Sequence, residues 1–207
     1  MLKLFILIES EVIEQKFITT NFDNTEHRGW VVSPSITTAS LAKSCGKFRI
    51  VGGYGLLGKG LSIKKLYESL PSHYSARIKI TFIKIDEWNG NKFMVIVDGN
   101  VLKEDSFNKN DDITSTGDQC GDPNIPESER IYTIDFWHSA INLQVEIKTD
   151  LTVSTGFWGF NYFELIINKC HSTCKTCFDK AEDNCLSCSS NFFLDSSNKC
   201  VLACGDP

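Results

Sequence analysis

The sequence lacks several features that would assign it to a functional class directly. No apolar run approaches the roughly 20 residues that a membrane-spanning helix requires. Its 21 Lys and Arg residues are spread among 26 acidic residues, so no basic stripe indicates a nucleic-acid partner. It also has no Asn-x-Ser/Thr sequon, which is mild evidence against the secretory compartment that other features indicate below.

The glycine-rich segment 50–60, IVGGYGLLGKG, has the spacing of a nucleotide-binding loop but not its context. Gly53, Gly55 and Gly58 match the dinucleotide fingerprint, which requires repeated strand–helix–strand units, whereas the following chain is strand-like. A P-loop requires Ser or Thr after its lysine, and Gly60 follows Lys59. The glycines are therefore interpreted as a turn or bulged strand edge, and no nucleotide partner is predicted.

Cysteine is scarce in the first 168 residues and abundant after them. Cys45 and Cys120 stand alone in the long segment, and the other seven of nine cysteines lie in the tail, between residues 170 and 204. The tail is otherwise mostly Ser, Asn, Asp and Lys, so it cannot build a hydrophobic core and must be cross-linked. Two C-x-x-C pairs leave zinc as the alternative, but only seven residues separate them, which is short for a zinc ribbon. We favour disulfides.

Residues 28–168 carry the two-residue periodicity of β-strands. The clearest case is segment 141–148, INLQVEIK, whose apolar side chains all fall on one face. Segments 77–85 and 92–97 are also strand-like, and the Asn89-Gly90-Asn91 sequence between them predicts a hairpin turn. The predicted fold class is mainly β: an antiparallel, jelly-roll-like β-sandwich, followed by a small disulfide-stapled, cysteine-rich module.

The tail resembles a known repeat family. It contains C-H-x-x-C-x-x-C, then C-x-S-C, then F-F-L-D and a further cysteine, over about 38 residues. This pattern resembles furin-like, growth-factor-receptor type cysteine-rich repeats, especially the arrays on surface proteins of ciliated protozoa. In such repeats the first cysteine pairs with the third and the second with the fourth. The resemblance implies the disulfides Cys170–Cys177, Cys174–Cys185 and Cys188–Cys200, and leaves Cys204 unpaired or bonded to another module.

The region before the tail resembles, less specifically, a β-sandwich module that precedes furin-like repeats in ciliate surface proteins. The resemblance rests on SCGKFRIVGGYGLLGKG, RIKITFIKIDEWNGNKFMVIVDG and GFWGFNYFELII. It implies a Cys45–Cys120 disulfide closing a loop of about 75 residues, and it confers no known activity. Disulfides imply an oxidising compartment, so the predicted location is extracellular or at the cell surface, by the secretory pathway.

Three segments follow from these patterns. Residues 1–27 are either a degenerate signal peptide or a first strand, and both alternatives stay open. Residues 28–168 are the predicted β-sandwich domain. Residues 169–207 are the furin-like repeat, which is expected to continue in the parent protein because Cys204 lacks a partner.

Two groups of residues are weak candidates for binding sites. Asp86, Glu87 and Asp98 flank the predicted hairpin and are calcium candidates, calcium being the one cofactor considered; solvated turn acids are the alternative. Trp88, Trp137 and Trp158 are candidates for a sugar-stacking platform, against the alternative that they are buried. His73 and His138 are interpreted as structural or surface histidines.

These features predict a non-catalytic extracellular structural or adhesion protein, in which a sandwich head sits on a disulfide-rich rod, as in a coat or fibre subunit. The expected partners are other protein subunits or surface glycans. The alternative is a carbohydrate- or calcium-dependent binding module that uses sandwich-end loops such as 86–91 and 105–126. No combination of nucleophile and base indicates an enzyme, so no catalytic residue is predicted.

Overall fold

The computed structural model describes residues 10–17, 29–36, 40–46, 48–111 and 120–202. Within these ranges the chain forms strands and turns, and no helix there is long and apolar enough to cross a membrane. The strands are β1 Ser10–Phe17, β2 Val31–Ser33, β3 Ala42–Cys45, β4 Phe48–Gly52, β5 Ser62–Tyr67, β6 His73–Asp86, β7 Asn89–Val97, β8 Asn100–Asn108, β9 Ser128–Trp137, β10 Leu143–Thr149, β11 Gly156–Lys169, β12 Cys174–Cys177, β13 Cys185–Cys188, β14 Phe192–Leu194 and β15 Cys200–Leu202.

The first eleven strands form two antiparallel sheets. The first sheet has the order β3-β4-β11-β6-β9, with β1 also paired to β11, and the second has the order β2-β5-β10-β7-β8. From β4 to β11 the chain crosses from one sheet to the other at every connection except the β7–β8 hairpin. Two small hairpins, β12–β13 and β14–β15, follow. The predicted antiparallel sandwich with a disulfide-stapled module after it is confirmed.

Strands β6 and β11 pair along their whole length and define the long axis of the sandwich. Their register runs from His73 opposite Lys169 at one end to Asp86 opposite Gly156 at the other. We call the first the proximal end, because β11 leads from it directly into the cysteine-rich module, and the second the distal end. Fourteen residues of strand separate the two ends by about 45 Å.

The core between the sheets is rich in aromatic side chains. Phe82 of β6 lies at its centre and contacts the rings of Trp88, Phe93, Phe107 and Trp158, with centroid distances of 4.1 to 6.0 Å. All five side chains are at most 1% exposed. Burying each such side chain contributes about 1.5–3 kcal/mol, so this cluster is a main source of the stability of the sandwich.

The predicted hairpin between β6 and β7 is wrong. These strands lie in different sheets: β6 pairs with β9 and β11, whereas β7 pairs with β8 and β10. The Asn89-Gly90-Asn91 sequence is inside β7, where Gly90 (φ +70°) makes a bulge opposite β8. The chain changes sheets at Glu87 and Trp88 because Trp88 inserts into the core and its indole N–H donates to the Phe157 carbonyl. Local turn chemistry here is overridden by burial of a large aromatic residue.

The glycine-rich segment after β4 leads into strand β5. This agrees with its interpretation as a turn or bulged edge, whereas a nucleotide-binding loop would lead into a helix. Gly52 has φ +90°, and a Cβ added there would lie 2.7 Å from both Leu57 Cδ1 and the Trp158 carbonyl oxygen. Its backbone therefore approaches β11 more closely than any other residue type permits.

The N-terminal region contributes strand β1 to the first sheet. Its register on β11 runs from Ser10 opposite Asn168 to Phe17 opposite Tyr162. The apolar residues 2–8, which the first-strand alternative also involves, lie outside the described residues.

Four disulfides cross-link the described chain, and they are the four pairs expected from the sequence. Cys45–Cys120 joins β3 to the segment before β9 and covers a small second core of Ile50, Ile83 and Ile85 on the outer face of the first sheet. The other three lie in the module, whose buried cluster consists mainly of cysteines. Cys204 lies outside the described residues.

Replacing Cys45 and Cys120 together by Ser is expected to lower the free energy of unfolding by about 4 kcal/mol, because the bridge closes a 75-residue loop in the unfolded chain. Replacing Cys188 and Cys200, which close a 12-residue loop, is the matched control and should cost about 3 kcal/mol. Urea unfolding of both variants measures the difference. A smaller loss for the long loop than for the short one would contradict the loop-entropy argument.

Candidate functional site

Four connections converge at the distal end of the sandwich and enclose a cleft of about 300 Å³. They are the β4–β5 loop, the β6–β7 connection, the segment before β9 and the β10–β11 loop. The lining residues are Tyr54, Asp86, Glu87, Gly121, Asp122, Ile125, Ser154, Thr155 and Phe157. The loop segments 86–91 and 105–126, which the sequence predicts as a possible binding region, thus both contribute residues to one cleft.

Tyr54 is the exposed aromatic residue of this cleft. Its side chain is 49% exposed, and its ring packs edge-on against Phe157 with centroids 4.9 Å apart. It stands between Gly53 and Gly55, whose φ values of +103° and +69° form the tight turn that projects the ring. Lys43 Nζ donates to the Tyr54 carbonyl oxygen at 3.0 Å and fixes the turn against β3. The glycine-rich segment thus presents an aromatic ring and not a phosphate-binding cradle.

Asp86 forms the floor of the cleft in an unusual backbone conformation. It is 3% exposed and has φ +57°, a left-handed conformation that costs an L-residue on the order of 1 kcal/mol. Its Oδ1 accepts a hydrogen bond of 2.8 Å from the Asp122 N–H. A Cβ at Gly121 would overlap the Asp86 carboxylate, so only glycine permits this approach. The carboxylate therefore holds the segment before β9 in place.

Two more carboxylates line the cleft above Asp86. Glu87 Oε2 accepts a hydrogen bond of 3.0 Å from the Thr155 hydroxyl. Asp122 Oδ1 accepts bonds from the backbone and side-chain nitrogens of Asn124, and the backbone bond above all lowers the Asp122 pKa. At neutral pH the rim of the cleft therefore carries an ionised carboxylate at Asp122.

A buried lysine supports the cleft from below. Lys84 continues the row of core side chains on β6 and is fully buried, and its Nζ donates to the carbonyls of Lys109 at 2.8 Å and Pro126 at 3.0 Å. Burial lowers the Lys84 pKa, an effect that the nearby charges of Glu127 and Asp111 oppose. The lysine thus binds the segment before β9 at both ends, while Cys45–Cys120 binds it in between.

The three calcium candidates do not form one site. Asp86 and Glu87 lie at the distal end, whereas Asp98 is in the β7–β8 turn at the proximal end, about 30 Å away along β7. The described residues contain two groups of three converging potential metal ligands, Cys174/Cys185/Cys200 and Cys45/Cys120/Glu127, and all of their cysteines are in disulfides. A calcium site that joins Asp86, Glu87 and Asp98 is wrong, because the β6–β7 connection crosses between the sheets and is not a hairpin turn. Calcium binding at Asp86 and Glu87 stays a prediction.

The three tryptophans do not form one platform either. Trp88 is 1% exposed and Trp158 is fully buried, so neither can stack on a ligand. Trp137 is 77% exposed but lies at the proximal end, opposite Ser75. The platform prediction is wrong because two of the rings are needed in the core.

Tyr54, Thr155 and Phe157 were missed by sequence reasoning. Their loops are far apart in the chain, and only the pairing of β4 and β6 with β11 brings them together. The signal in the sequence was Tyr54 itself: an aromatic residue between two glycines stands in a turn, where it is more often exposed than buried in the core.

Lys84→Met is expected to lower the free energy of unfolding by about 2 kcal/mol, because the carbonyls of Lys109 and Pro126 lose their donor. The pH profile gives a second test. Since the Lys84 pKa is lowered from 10.5 in the folded protein, the unfolded chain binds more protons as pH approaches 10.5, and wild-type stability should rise over that window. Urea unfolding at several pH values should show no such contribution in Lys84→Met.

Lys175→Met is the matched control, because Lys175 is exposed in the cysteine-rich module. It should keep both the wild-type stability and the wild-type pH profile. An identical profile in Lys84→Met and Lys175→Met would contradict the assignment.

Comparison with known proteins gives distant structural similarities alone. No protein-family model matches the sequence, and no curated protein matches it. Among solved structures, the chain is similar to the CBM22-1 xylan-binding domain of Paenibacillus barcinonensis Xyn10C, with 6% identity, a TM-score of 0.44, and coverage of 78% of this chain and 97% of that domain. It is also similar to a family 35 carbohydrate binding module from Clostridium thermocellum, with 18% identity, a TM-score of 0.35, and coverage of 66% and 90%. A third similarity is to PorU from Porphyromonas gingivalis, with 9% identity and a TM-score of 0.40; it covers 67% of this chain but 12% of that protein. These similarities are too distant to bear on function.

Proposed function

We propose that this chain is a non-catalytic extracellular binding protein whose distal cleft binds a carbohydrate. The observation that carries the proposal is the half-exposed ring of Tyr54, which stands beside the carboxylates of Asp86, Glu87 and Asp122 in one cleft. The volume of about 300 Å³ is at the lower end for small-ligand sites and suits about one or two sugar units.

The chemistry of a sugar matches the chemistry of this cleft. A pyranose ring presents an apolar face of C–H groups and an edge of hydroxyls. An aromatic ring such as Tyr54 can stack on the apolar face, and carboxylates accept strong hydrogen bonds from the hydroxyls. The Ser154 hydroxyl provides a further donor and acceptor at the same rim, and the Thr155 hydroxyl, which donates to Glu87, provides a further acceptor.

The position and rigidity of the cleft also support a binding role. It lies at the end of the sandwich about 45 Å from the junction with the module, so a ligand approaches from the side that the module leaves open. The segment before β9 is held by Lys84, Asp86 and the Cys45–Cys120 disulfide. A site that is held in place before the ligand arrives loses less entropy on binding.

The module is well suited to act as a spacer outside the cell. Three disulfides in a segment with a cysteine-rich core are stable in an oxidising compartment and are rare in the cytosol. In this proposal the module separates the distal cleft from whatever surface the protein is attached to.

A binding role is preferred over a fibre subunit because two of the sheet edges, β8 and β9, resist strand addition. Edge strand β8 carries three consecutive charged residues, 103–105, and edge strand β9 carries charges at 129, 130 and 135. Arg130 also forms an ion pair with Asp105 at 3.0 Å, which joins the two edges to each other. These two edges are therefore poorly suited to pairing with a strand of a second copy of the chain.

The test is binding of immobilised neutral and acidic glycans, followed by calorimetry with the tightest soluble oligosaccharide. Tyr54→Ala should raise the Kd at least about tenfold, since loss of one stacking ring costs about 1.4 kcal/mol. Trp137→Ala is the matched control, because it removes an exposed aromatic ring at the opposite end, and it should leave the Kd unchanged.

The thermal midpoint of each variant establishes that the sandwich remains folded. Adding a chelator separates direct binding from calcium-dependent binding through Asp86 and Glu87. Failure to bind any glycan, or equal effects of the Tyr54 and Trp137 substitutions, would contradict the proposal.

A further inference from the structure

A continuous chain of hydrogen bonds closes the proximal end of the sandwich. His73 Nδ1 bonds to the Pro71 carbonyl at 2.6 Å, His73 Nε2 meets His138 Nδ1 at 2.7 Å, and His138 Nε2 meets Asp98 Oδ2 at 3.1 Å. The two imidazole planes are 14° apart with centroids separated by 5.0 Å. With nitrogens only 2.7 Å apart at that centroid distance, the rings meet edge to edge, as a direct nitrogen-to-nitrogen hydrogen bond requires.

The number of protons in this chain follows from its end groups. The Pro71 carbonyl and the Asp98 carboxylate both accept and cannot donate. The two rings must therefore supply a proton to each end and one more to the bond between them. Two neutral imidazoles carry two ring protons, so three hydrogen bonds require one additional proton and a net charge of +1 on the pair. That charge faces the carboxylate of Asp98.

The chain joins the two sheets. His73 begins β6 and His138 follows β9, both in the first sheet, whereas Asp98 is in the β7–β8 turn of the second. Asp98 is itself fixed, because its Oδ1 accepts from the Gln144 N–H at 2.9 Å and its own N–H donates to the Gln144 carbonyl at 3.0 Å. The His138–Asp98 bond is therefore the link that crosses to the second sheet, and the His73–His138 bond connects the start of β6 to that link.

Asp98 is the charged group that favours one extra proton on the pair, whereas the groups around His73 oppose a second. Lys169 lies opposite His73 on β11 and adds positive charge, while burial and the nearby Asp179 of the module raise the Tyr74 pKa. Arg77 and Asp135, further along the sheet, neutralise each other at 2.6 Å. His73 is 2% exposed, and burial lowers its pKa, with the neighbouring His138 lowering it further.

We propose that His73, His138 and Asp98 form a proton-dependent clasp at the proximal end, in which a single extra proton on the histidine pair completes the His73–His138 bond and so links the start of β6, through Asp98, to the second sheet. Loss of that proton at alkaline pH leaves His73 Nε2 and His138 Nδ1 facing each other as two acceptors. A second proton at acid pH turns both of these nitrogens into N–H donors, which also cannot bond to each other. Either change opens the clasp.

The clasp lies beside the junction with the cysteine-rich module. Ser72, between Pro71 and His73, accepts a hydrogen bond of 3.0 Å from the N–H of Cys170, the first cysteine of the module. A change at the histidine pair therefore acts on the short segment that attaches the module to the sandwich. The stability of the head and of its attachment becomes sensitive to pH in the range where histidines titrate.

The sign of the pH dependence follows from linkage. The proposal requires the hydrogen bonds to Pro71 and Asp98 to outweigh the burial that lowers the His73 pKa, so that the folded pair keeps one proton that two free imidazoles, with ordinary pKa values near 6.5, largely lose above neutral pH. The stability from the clasp is thus present near pH 6 and is lost as pH rises toward 8.5. We expect the unfolding equilibrium constant of the wild type to rise about tenfold over this range.

Asp98→Asn is the decisive variant. Asn can still accept from Gln144 N–H and can donate from its amide to His138 Nε2, so the whole chain is satisfied by two neutral imidazoles. Its unfolding constant should therefore be flat between pH 6 and pH 8.5, while the thermal midpoint at pH 8.5 stays at or above that of the wild type. His171→Gln is the control, since His171 lies outside the chain and bonds to Thr173; it should keep the wild-type slope.

Long-range proton–nitrogen NMR spectra of the imidazoles provide an independent readout. At pH 6.5 the pair should show three protonated ring nitrogens and one that is not protonated. Two neutral tautomers at that pH, or equal pH slopes in the wild type and Asp98→Asn, would overturn the proposal.

Discussion

The antiparallel pairing of β6 with β11 is the constraint on which the rest of the structure depends. It runs from one end of the sandwich to the other with two bulges, and it buries Phe82, Trp158 and Phe160 against the second sheet. Both proposed sites lie where this pair ends. Asp86 is the last residue of β6 and lies in the distal cleft, and His73 is the first and lies in the proximal clasp. A shift of two residues in this register would displace both sites.

The distal cleft shows how local strain is distributed around a site. Asp86 adopts a left-handed conformation, Lys84 is buried in place of an apolar side chain, and Gly52 approaches β11 more closely than other residues can. Each of these features lowers stability when considered alone. Asp86 and Lys84 fix the segment before β9, and Gly52 fixes the start of the β4–β5 loop against β11. The Cys45–Cys120 disulfide offsets part of the cost by restricting the unfolded chain. Such a concentration of costly features at one end is expected of a site that has a function beyond folding.

Sequence periodicity predicted the fold class and three of the strands, because side-chain alternation follows directly from the pleat. Segments 77–85 and 92–97 lie within β6 and β7, and segment 141–148 overlaps β10. Periodicity could not say which strands pair, so the Asn-Gly signal at residues 89 and 90 was assigned to a hairpin that does not exist. The joint calcium site failed for the same reason, because Asp98 is close to Asp86 in the chain but at the other end of β7 in the fold.

The two ends of the sandwich differ in chemistry in a way that suits different tasks. The distal end combines an exposed ring with carboxylates and is rigid, since a disulfide and a buried lysine hold it. The proximal end has its polar groups linked to each other in a chain that a single proton completes. In the two proposals, protonation acts on the end that carries the module and leaves the residues of the distal cleft unaltered. The proposed binding at the distal end and the proposed control of attachment at the proximal end are therefore separable properties, connected through the length of β6 and β11.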